Sequence, residues 1–224
     1  MLSNRLKIIS DFVEKNDNVA DIGCDHGFVL INLYRKNAYR KLLGIENKKG
    51  PYNTFIENLK KNNCFNSIIH SLSNGLDEVD STYNCIILAG MGTDNIIKII
   101  EKNLDKIKFF NKIIVDSHTN TSKLRKYICS KGFLIDKECF IVEDKIPYTI
   151  ILFKRGVANY TELEYKFGPI ILKEKSDVFI EYCEEKLRFL KLKDSNTENL
   201  KFLESLKFQI KEIEGIINEH KNIN

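Results

Sequence analysis

The sequence predicts an α/β fold in which a mostly parallel sheet is followed by an antiparallel helical hairpin. The first observation is that short apolar runs alternate with helical patterns from residue 18 to about residue 131, which is typical of βαβ units. The second is that this alternation stops near Tyr160, after which apolar residues recur at spacings of three and four. We therefore expect two domains, one over residues 1–156 and a helical one over residues 157–224.

The elements of the first domain follow from the period of its apolar residues. The parallel strands are predicted at 18–23, 41–46, 67–71, 84–89 and 112–117. The helices between them are predicted at 28–36, 52–62, 94–104 and 121–131. Pro51 lies near the first turn of the second helix, where its missing N–H leaves no helical hydrogen bond unmade. Two further strands, 133–142 and 147–154, should form an antiparallel hairpin at the sheet edge.

Two amphipathic helices are predicted in the second domain. The first has apolar residues at Phe179, Cys183, Leu187 and Leu190. The second has them at Leu200, Leu203, Leu206, Ile210, Ile213 and Ile217. The polar residues Asp194-Ser195-Asn196-Thr197 should form the turn, with Asn196 or Thr197 capping the second helix. Such helices pair as a coiled coil, which either stabilises or dimerises the protein or grips part of a large substrate.

Composition and charge restrict the compartment and the partner. No apolar run approaches the roughly 20 residues of a membrane helix, and residues 1–12 lack the features of a signal peptide, so we expect a cytoplasmic protein that does not bind membranes. The six cysteines form neither a CxxC pair nor a Cys/His cluster, which predicts reduced thiols and no metal site. Residues 1–157 carry 24 Lys and Arg against 18 Asp and Glu, whereas residues 158–224 carry 11 against 13. The basic excess in the first domain suits a polyanionic substrate.

A glycine-bearing turn at residues 19–27 follows the first strand and opens the first helix. Gly23 would let the backbone approach a ligand, and the helix N-terminus offers unpaired N–H groups. The GxGxxG spacing of dinucleotide-binding proteins is absent, and Asp21 and Asp25 would repel a pyrophosphate. Carboxylates at this turn suit a ligand with a sulfonium and an ammonium group. The turn therefore favours S-adenosylmethionine over a nicotinamide cofactor.

Three further loops should lie at the same edge of the sheet, because each follows the carboxyl end of a parallel strand. Glu46 ends the second strand, 23 residues after Gly23, where an acid can bind both ribose hydroxyls. Ser73-Asn74-Gly75-Leu76 follows the third strand, where an adenine ring would lie. Ala89-Gly90-Met91-Gly92 ends the fourth strand, where two glycines leave room for a ligand and an incoming base.

These segments resemble the TrmK-type tRNA (adenine-N1)-methyltransferases, which modify position 22 of tRNA. The resemblance is carried by Leu2-Ser3-Asn4-Arg5-Leu6, Ala20-Asp21-Ile22-Gly23-Cys24-Asp25-His26, Lys49-Gly50-Pro51-Tyr52, Asn74-Gly75-Leu76, Ala89-Gly90-Met91-Gly92, Leu124-Arg125 with Gly132-Phe133, and Phe167-Gly168-Pro169 with Leu172-Lys173. It covers nearly the whole chain, including the hairpin. It implies a Rossmann-like class I methyltransferase fold with a seven-stranded, mostly parallel sheet. It also implies S-adenosyl-L-methionine as cofactor and methyl transfer to N1 of adenine 22 in a tRNA substrate.

The resemblance further implies the roles of individual residues. The cofactor is expected to contact Asp21, Gly23 and Cys24 at its methionine end, Glu46 and Asn47 at its ribose, Asn74, Gly75 and Leu76 at its adenine, and Ala89, Gly90 and Met91 after the fourth strand. Arg5 is expected near the cofactor or the target nucleotide. From their own positions rather than from the resemblance, we also expect His26, Gly92, His118 and Tyr148 to contact the target nucleotide. Asp25 faces the reaction centre.

Two departures from the family lie in these loops. Asn74 replaces an acid before Gly75, although an amide can still donate to and accept from an adenine edge. Asp116-Ser117-His118 stands where the family has Gln-Pro-Asn, in the loop that would hold the target base.

Asp25 is the candidate catalytic residue. Adenine N1 is already a nucleophile, so the displacement mainly needs positioning. A carboxylate would stabilise the charge that arrives on the base and accept a hydrogen bond from its exocyclic amine, which guanine lacks at that position. The alternative is that Asp25 only caps the following helix.

Each of the remaining candidate residues can be interpreted in two ways. His118 and Tyr148 either stack on an extruded base or, for Tyr148, fill a half-buried strand position. His26 either contacts phosphate or ribose or is structural. The basic residues either contact phosphate or are ordinary solvated surface, and they are Lys48, Lys49, Lys60, Lys61, Lys123, Arg125 and Lys126.

Two other functions stay open at this level. One is methyl transfer to a small molecule or a protein. The other is RNA binding without turnover, if the changes at Asn74 and at residues 116–118 have abolished catalysis. Whichever of these functions the protein has, we expect it to be a monomer.

Overall fold

The computed structural model describes residues 2–37, 39–194 and 200–222. The strands are β1 Asn18–Ile22, β2 Lys41–Glu46, β3 Ile69–Leu72, β4 Cys85–Ala89, β5 Lys112–Ser117, β6 Phe133–Glu143 and β7 Ile146–Arg155. They form one seven-stranded sheet in the order β3-β2-β1-β4-β5-β7-β6. The strands β1 to β5 pair in parallel, and β7 pairs antiparallel with both β5 and β6. The predicted mostly parallel sheet and its antiparallel edge hairpin are therefore confirmed.

The helices begin before β1 and continue beyond the sheet. They are α1 Asn4–Asp11, α2 Phe28–Lys36, α3 Lys49–Lys61, α4 Thr93–Glu101, α5 Leu104–Ile107, α6 Thr121–Cys129, α7 Glu162–Phe167, α8 Pro169–Glu174, α9 Asp177–Asp194 and α10 Leu200–Lys221. Polar side chains cap several of them, as expected for helix N-termini. Asn120 accepts the Lys123 N–H at α6, and Thr161 forms a capping box with Glu164 at α7.

Several element boundaries differ from the predictions. The helix predicted from residue 52 begins at Lys49, because Pro51 fits within a first helical turn. The single helix predicted over 94–104 is wrong at its end, since α4 stops at Glu101 and Asn103 leaves the helical conformation with φ −130°. The short helices α7 and α8 are not predicted from the sequence, which shows only that the strand pattern ends before them.

The core has two layers, one on each face of the sheet. On β4, Ile86 and Leu88 pack into one layer, whereas Cys85 and Ile87 pack into the other. Because successive strand residues point to opposite faces, a strand buried on both faces is a continuous apolar run. This explains why the central strands were readable from the sequence. It also leaves their carboxyl ends, with the loops that follow, at the edge of the sheet.

The two long C-terminal helices pack against each other, and α9 also packs against β6. Their buried residues include Phe179, Cys183 and Leu190 of α9 and Leu206, Ile213 and Ile217 of α10. Leu187, Leu203 and Ile210 are partly buried. The predicted apolar faces are thus confirmed, and supercoiling stays a prediction. The predicted turn at Ser195-Asn196-Thr197 lies outside the described residues.

A buried ion pair joins α6 and β6 to the first C-terminal helices. Arg125 Nε donates to Glu138 Oε1 at 2.7 Å, and Arg125 Nη1 donates to the carbonyl oxygen of Tyr165 at 3.1 Å. Glu138 Oε2 accepts the Ile170 N–H at 3.1 Å. Gly168, with φ +100°, lies where any Cβ would overlap the Glu138 carboxylate. Arg125 is only 1% exposed, so its prediction as a phosphate contact or solvated surface residue is wrong.

Candidate functional site

One cavity of about 760 Å³ lies at the carboxyl ends of β1, β2 and β4 and collects most of the predicted site residues. From the turn after β1 it is lined by Asp21, Gly23, Cys24, Asp25 and His26. From the other loops it is lined by Glu46, Asn47, Asn74, Gly75, Ala89, Gly90 and Met91, and from α1 by Arg5. We call it the first cavity. Its volume is within the range of roughly 300–1,000 Å³ that is usual for ligand sites.

Backbone hydrogen bonds to β2 fix the turn after β1, which faces this cavity. The N–H groups of Gly23 and Cys24 both donate to the carbonyl oxygen of Ile45 on β2, at 2.8 and 3.0 Å. Gly23 has φ +70°, a region that a glycine adopts without strain, and a Cβ there would lie 3.1 Å from Met91 Cε. The turn is therefore fixed against β2 while its surface stays free of side chain.

Two buried carboxyl groups form the floor of the first cavity. Burial and, to a smaller extent, the nearby Glu46 charge together raise the pKa of Asp21 to about 7. Glu46 Oε1 accepts the N–H groups of Asn47 and Lys48, both at 2.9 Å, and its Oε2 accepts the Asp25 N–H at 3.2 Å. Because Oε2 accepts only this one hydrogen bond, its second lone pair can still accept a hydroxyl. A cation above Asp21 would favour its ionised form.

Asp25 occupies the rim of this cavity. Its φ is +49°, a region that Asp tolerates better than most residues. Its side chain is 61% exposed, and its Oδ2 lies 3.5 Å from His26 Nε2. The N-cap of α2 is Gly27, and no side chain caps this helix. The alternative in which Asp25 is only a helix cap is therefore wrong.

Arg5 reaches the same rim from α1. Its Nη1 donates to Asp116 Oδ2 at 2.5 Å, and its guanidinium carbon lies 4.7 Å from the centre of the Tyr148 ring. The Asp116 side chain is buried, and this burial raises its pKa although the Arg5 charge opposes the shift. The interaction ties α1 to the end of β5. His118 in turn packs against Tyr148, with 5.8 Å between ring centres.

Four predicted residues do not line the first cavity. Leu76 is fully buried in the core, and Gly92 is the N-cap of α4. His118 lines a second cavity, and Tyr148 lies between His118 and Arg5. His118 and Tyr148 therefore neighbour the first cavity through Arg5, and their stacking on a base inside it stays a prediction.

The sequence analysis missed several lining residues. Phe28 is 46% exposed at the start of α2, and its ring lies 5.6 Å from that of His26. A signal was available, because Phe28 falls outside the apolar face formed by Val29, Leu30 and Leu33. Polar residues of α4 and its C-terminal end also line this cavity, namely Asn95, Lys98, Lys102 and Asn103.

The described residues offer neither a cluster of metal ligands nor a membrane-crossing helix. They contain no group of three or more His, Cys, Asp or Glu that could hold a metal ion. None of the described helices combines the length and the apolar composition that crossing a membrane requires.

Comparison with known proteins gives consistent matches. A family model described as a methyltransferase domain matches residues 2–151. The chain is 23% identical over 194 residues to the tRNA (adenine(22)-N(1))-methyltransferase of Bacillus subtilis, which covers 84% of this chain and 82% of the relative. M. capricolum TrmK in complex with S-adenosyl-homocysteine is 27% identical, with a TM-score of 0.85 over 97% of this chain and 98% of that one. Streptococcus pneumoniae Sp1610 in complex with S-adenosyl-L-methionine is 26% identical, with a TM-score of 0.89 over 97% and 100%.

Proposed function

The chain belongs to the methyltransferase-domain family, and on that premise we propose that it transfers the methyl group of S-adenosyl-L-methionine to N1 of adenine 22 in tRNA. The observation that carries the proposal is the first cavity, where buried Asp21 and Glu46 lie below an exposed Asp25. The similarity to the Bacillus subtilis enzyme supports the substrate and the position that is methylated. The similarity to two solved structures with this cofactor or its product supports the cofactor.

The residues of the first cavity fit this cofactor chemically. A buried carboxyl group with a raised pKa, as at Asp21, suits a ligand that brings positive charge. We assign Asp21, Gly23 and Cys24 to the methionine end of the cofactor and Glu46 with Asn47 to the ribose. We assign the adenine end to Asn74 and Gly75, with Leu76 supporting them from the core. Ala89, Gly90 and Met91 complete the cofactor contacts.

The chemistry needs little from the protein beyond orientation. When bound, the cofactor supplies an electrophilic methyl group for in-line displacement by adenine N1. Asp25 accepts a hydrogen bond from the exocyclic amine of the target adenine and offsets the positive charge that the ring gains. Arg5 and His26 orient the target nucleotide at the rim, and Gly92 leaves room for the base. His118 and Tyr148 contact the nucleotide on the far side of Arg5.

We also propose that the two domains have different roles. We assign the chemistry to residues 1–156 and a supporting role in tRNA binding to residues 157–224. The Arg125–Glu138 pair then holds the two parts in a fixed relation. A monomeric state and a cytoplasmic location stay predictions.

The decisive experiment maps the methylated nucleotide. Unmodified tRNA is incubated with the protein and with S-adenosyl-L-methionine that carries a labelled methyl group. Methylation at N1 blocks the pairing edge of adenine, so reverse transcription should stop beside position 22. A matched tRNA with guanine at position 22 should accept no label. Label on another position, transfer to a small molecule or protein, or no transfer at all would contradict the proposal.

A further inference from the structure

A second cavity, of about 350 Å³, lies between the loop after β5, the β6–β7 hairpin and the helices α7 and α9. It is lined by Ser117 and His118 at the end of β5, by Phe140 of β6, and by residues of α7 and α9. The chain therefore assembles this cavity from segments that are more than 60 residues apart. Its volume is close to the lower end of the usual range for a ligand site, which begins at roughly 300 Å³.

The charged residues of the second cavity are all basic. Lys166 and Lys186 line it together with the imidazole of His118, and no Asp or Glu is among the described residues that line it. Lys166 is ion-paired with Glu212, which lies outside the lining. Asn120 and Thr121 add polar groups to the same lining. A surface of this kind favours an anionic ligand.

Aromatic rings form one wall of the second cavity. The Phe140 ring centre lies 5.0 Å from that of Tyr182 and 5.4 Å from that of Phe179. Lys186 Nζ lies 5.7 Å from the centre of the Tyr182 ring, so a cation and an aromatic face meet at one point. Aromatic rings beside basic groups are the combination with which proteins bind unpaired nucleotides.

The second cavity is connected to the first by three side chains. His118 lines the second cavity and packs against Tyr148. Tyr148 lies under the guanidinium of Arg5, which lines the first cavity. An RNA strand with its target base in the first cavity would therefore pass the second cavity along this row of residues.

We propose that the second cavity binds an unstacked nucleotide of the RNA substrate next to the target adenine. Its base stacks against Tyr182 and Phe140, and its phosphate lies near Lys186 and His118. This inference rests on the proposed function, because it names a further contact of the same substrate. It assigns to the β5 loop and α9 a part in substrate binding that is separate from the methyl-transfer site.

The test measures steady-state methylation of unmodified tRNA by the full chain and its variants. Lys186→Gln should raise the KM for tRNA about fivefold at unchanged kcat, and should reduce the slope of log KM against log salt by about one. Tyr182→Ala should also raise KM by about fivefold or more, whereas Tyr182→Phe should keep the original KM because it retains the ring. Affinity for S-adenosyl-homocysteine, measured by calorimetry, should stay the same in all three variants.

Arg188→Gln is the matched control. Arg188 lies two residues from Lys186 on α9 and is exposed, and two residues turn a helix by about 200°, so it faces away from the second cavity. Its KM and salt slope should stay close to those of the unaltered chain. Equal effects at Arg188 and Lys186 would overturn the inference, because they would indicate only a general charge effect.

Two results separate this inference from the proposed function. If the unaltered chain methylates tRNA while Lys186→Gln and Tyr182→Ala keep its KM and salt slope, the second cavity does not bind RNA, and the proposed function stands. If the unaltered chain transfers no methyl group to tRNA, both fail together. If the two variants change self-association in sedimentation but not KM, the second cavity is a contact between copies and the inference is overturned.

Discussion

The two cavities differ in the charge that they bury and in the way the chain builds them. The first cavity has two buried carboxyl groups, Asp21 and Glu46, each at the end of a parallel strand or one residue before it. Among the described residues that line the second, the charged ones, Lys166 and Lys186, are basic, and its walls come from the sheet edge, α7 and α9. Under the proposed function, the buried carboxyl groups serve the cofactor and the basic residues of the second cavity serve the RNA, while the lysines that line the first cavity, Lys48, Lys98 and Lys102, are exposed.

The largest effect should come from breaking the buried contacts of Arg125, which also donates to the carbonyl oxygens of Lys166 and Phe167 in the lining of the second cavity. Arg125→Met removes one partner of a buried ion pair with Glu138, and it should lower the free energy of unfolding by about 3–5 kcal/mol. Urea unfolding measures this. The neighbouring variant Lys126→Met removes an exposed pair with Glu162, and it should cost no more than about 1 kcal/mol. In the Arg125 variant the KM for tRNA should rise while affinity for S-adenosyl-homocysteine is kept. A parallel loss of both would show that the cavities are not separate.

The next effect concerns the rim of the first cavity. Asp25→Asn keeps the size of the side chain but removes its charge, so it should lower kcat by about 10²–10³-fold if the carboxylate stabilises the charge on the adenine. The KM for tRNA should change little. Asp77 also lines the first cavity, and Asp77→Asn should keep kcat within about twofold. Single-turnover methylation separates the two variants, and similar rates for both would remove Asp25 from its role.

The sequence predicts the first cavity much better than the second. The first cavity was predictable because residues such as Asp21, Glu46 and Gly90 each lie at or next to the end of an apolar run, and parallel strands bring those ends to one edge. The second was not, because it depends on how α9 packs against β6, which the spacing of Phe179 and Cys183 does not fix. The role of Arg125 was missed for the same reason, since only its tertiary partner Glu138 explains a buried cation.

A smaller effect, on the pH dependence of stability, should follow from the buried Asp21 at the floor of the first cavity. The pKa of Asp21 is raised to about 7 in the folded chain, from an ordinary value near 3.8. Between these values the folded state holds a proton that the unfolded state has lost, so the stability of the ligand-free chain should fall as pH rises from about 4 to about 7. Asp21→Asn should remove that component, and thermal unfolding at several pH values measures it.

The same group should make cofactor binding depend on pH. Affinity for S-adenosyl-homocysteine, whose ammonium group favours ionised Asp21, should rise as pH increases through about 7. Asp21→Asn should weaken binding by about ten- to a hundredfold at pH 8, as expected for the loss of a hydrogen bond to a charged group. Calorimetry gives both values. Identical pH profiles for the two proteins would show that Asp21 does not contact the ammonium group.

The smallest effect should come from the one amide in the first cavity that replaces an acid of the TrmK-type family. Asn74 is exposed, so solvent weakens any gain from a charge there. Asn74→Asp should tighten binding of S-adenosyl-homocysteine by only about two- to threefold, because a carboxylate accepts a hydrogen bond from the adenine amine more strongly than an amide does. Asn74→Ala should weaken binding by a similar factor. Equal affinities in the two variants would place the adenine ring away from Asn74. An ordered series from Ala through Asn to Asp would mean that the chain has kept the adenine contact while reducing the negative charge of the first cavity.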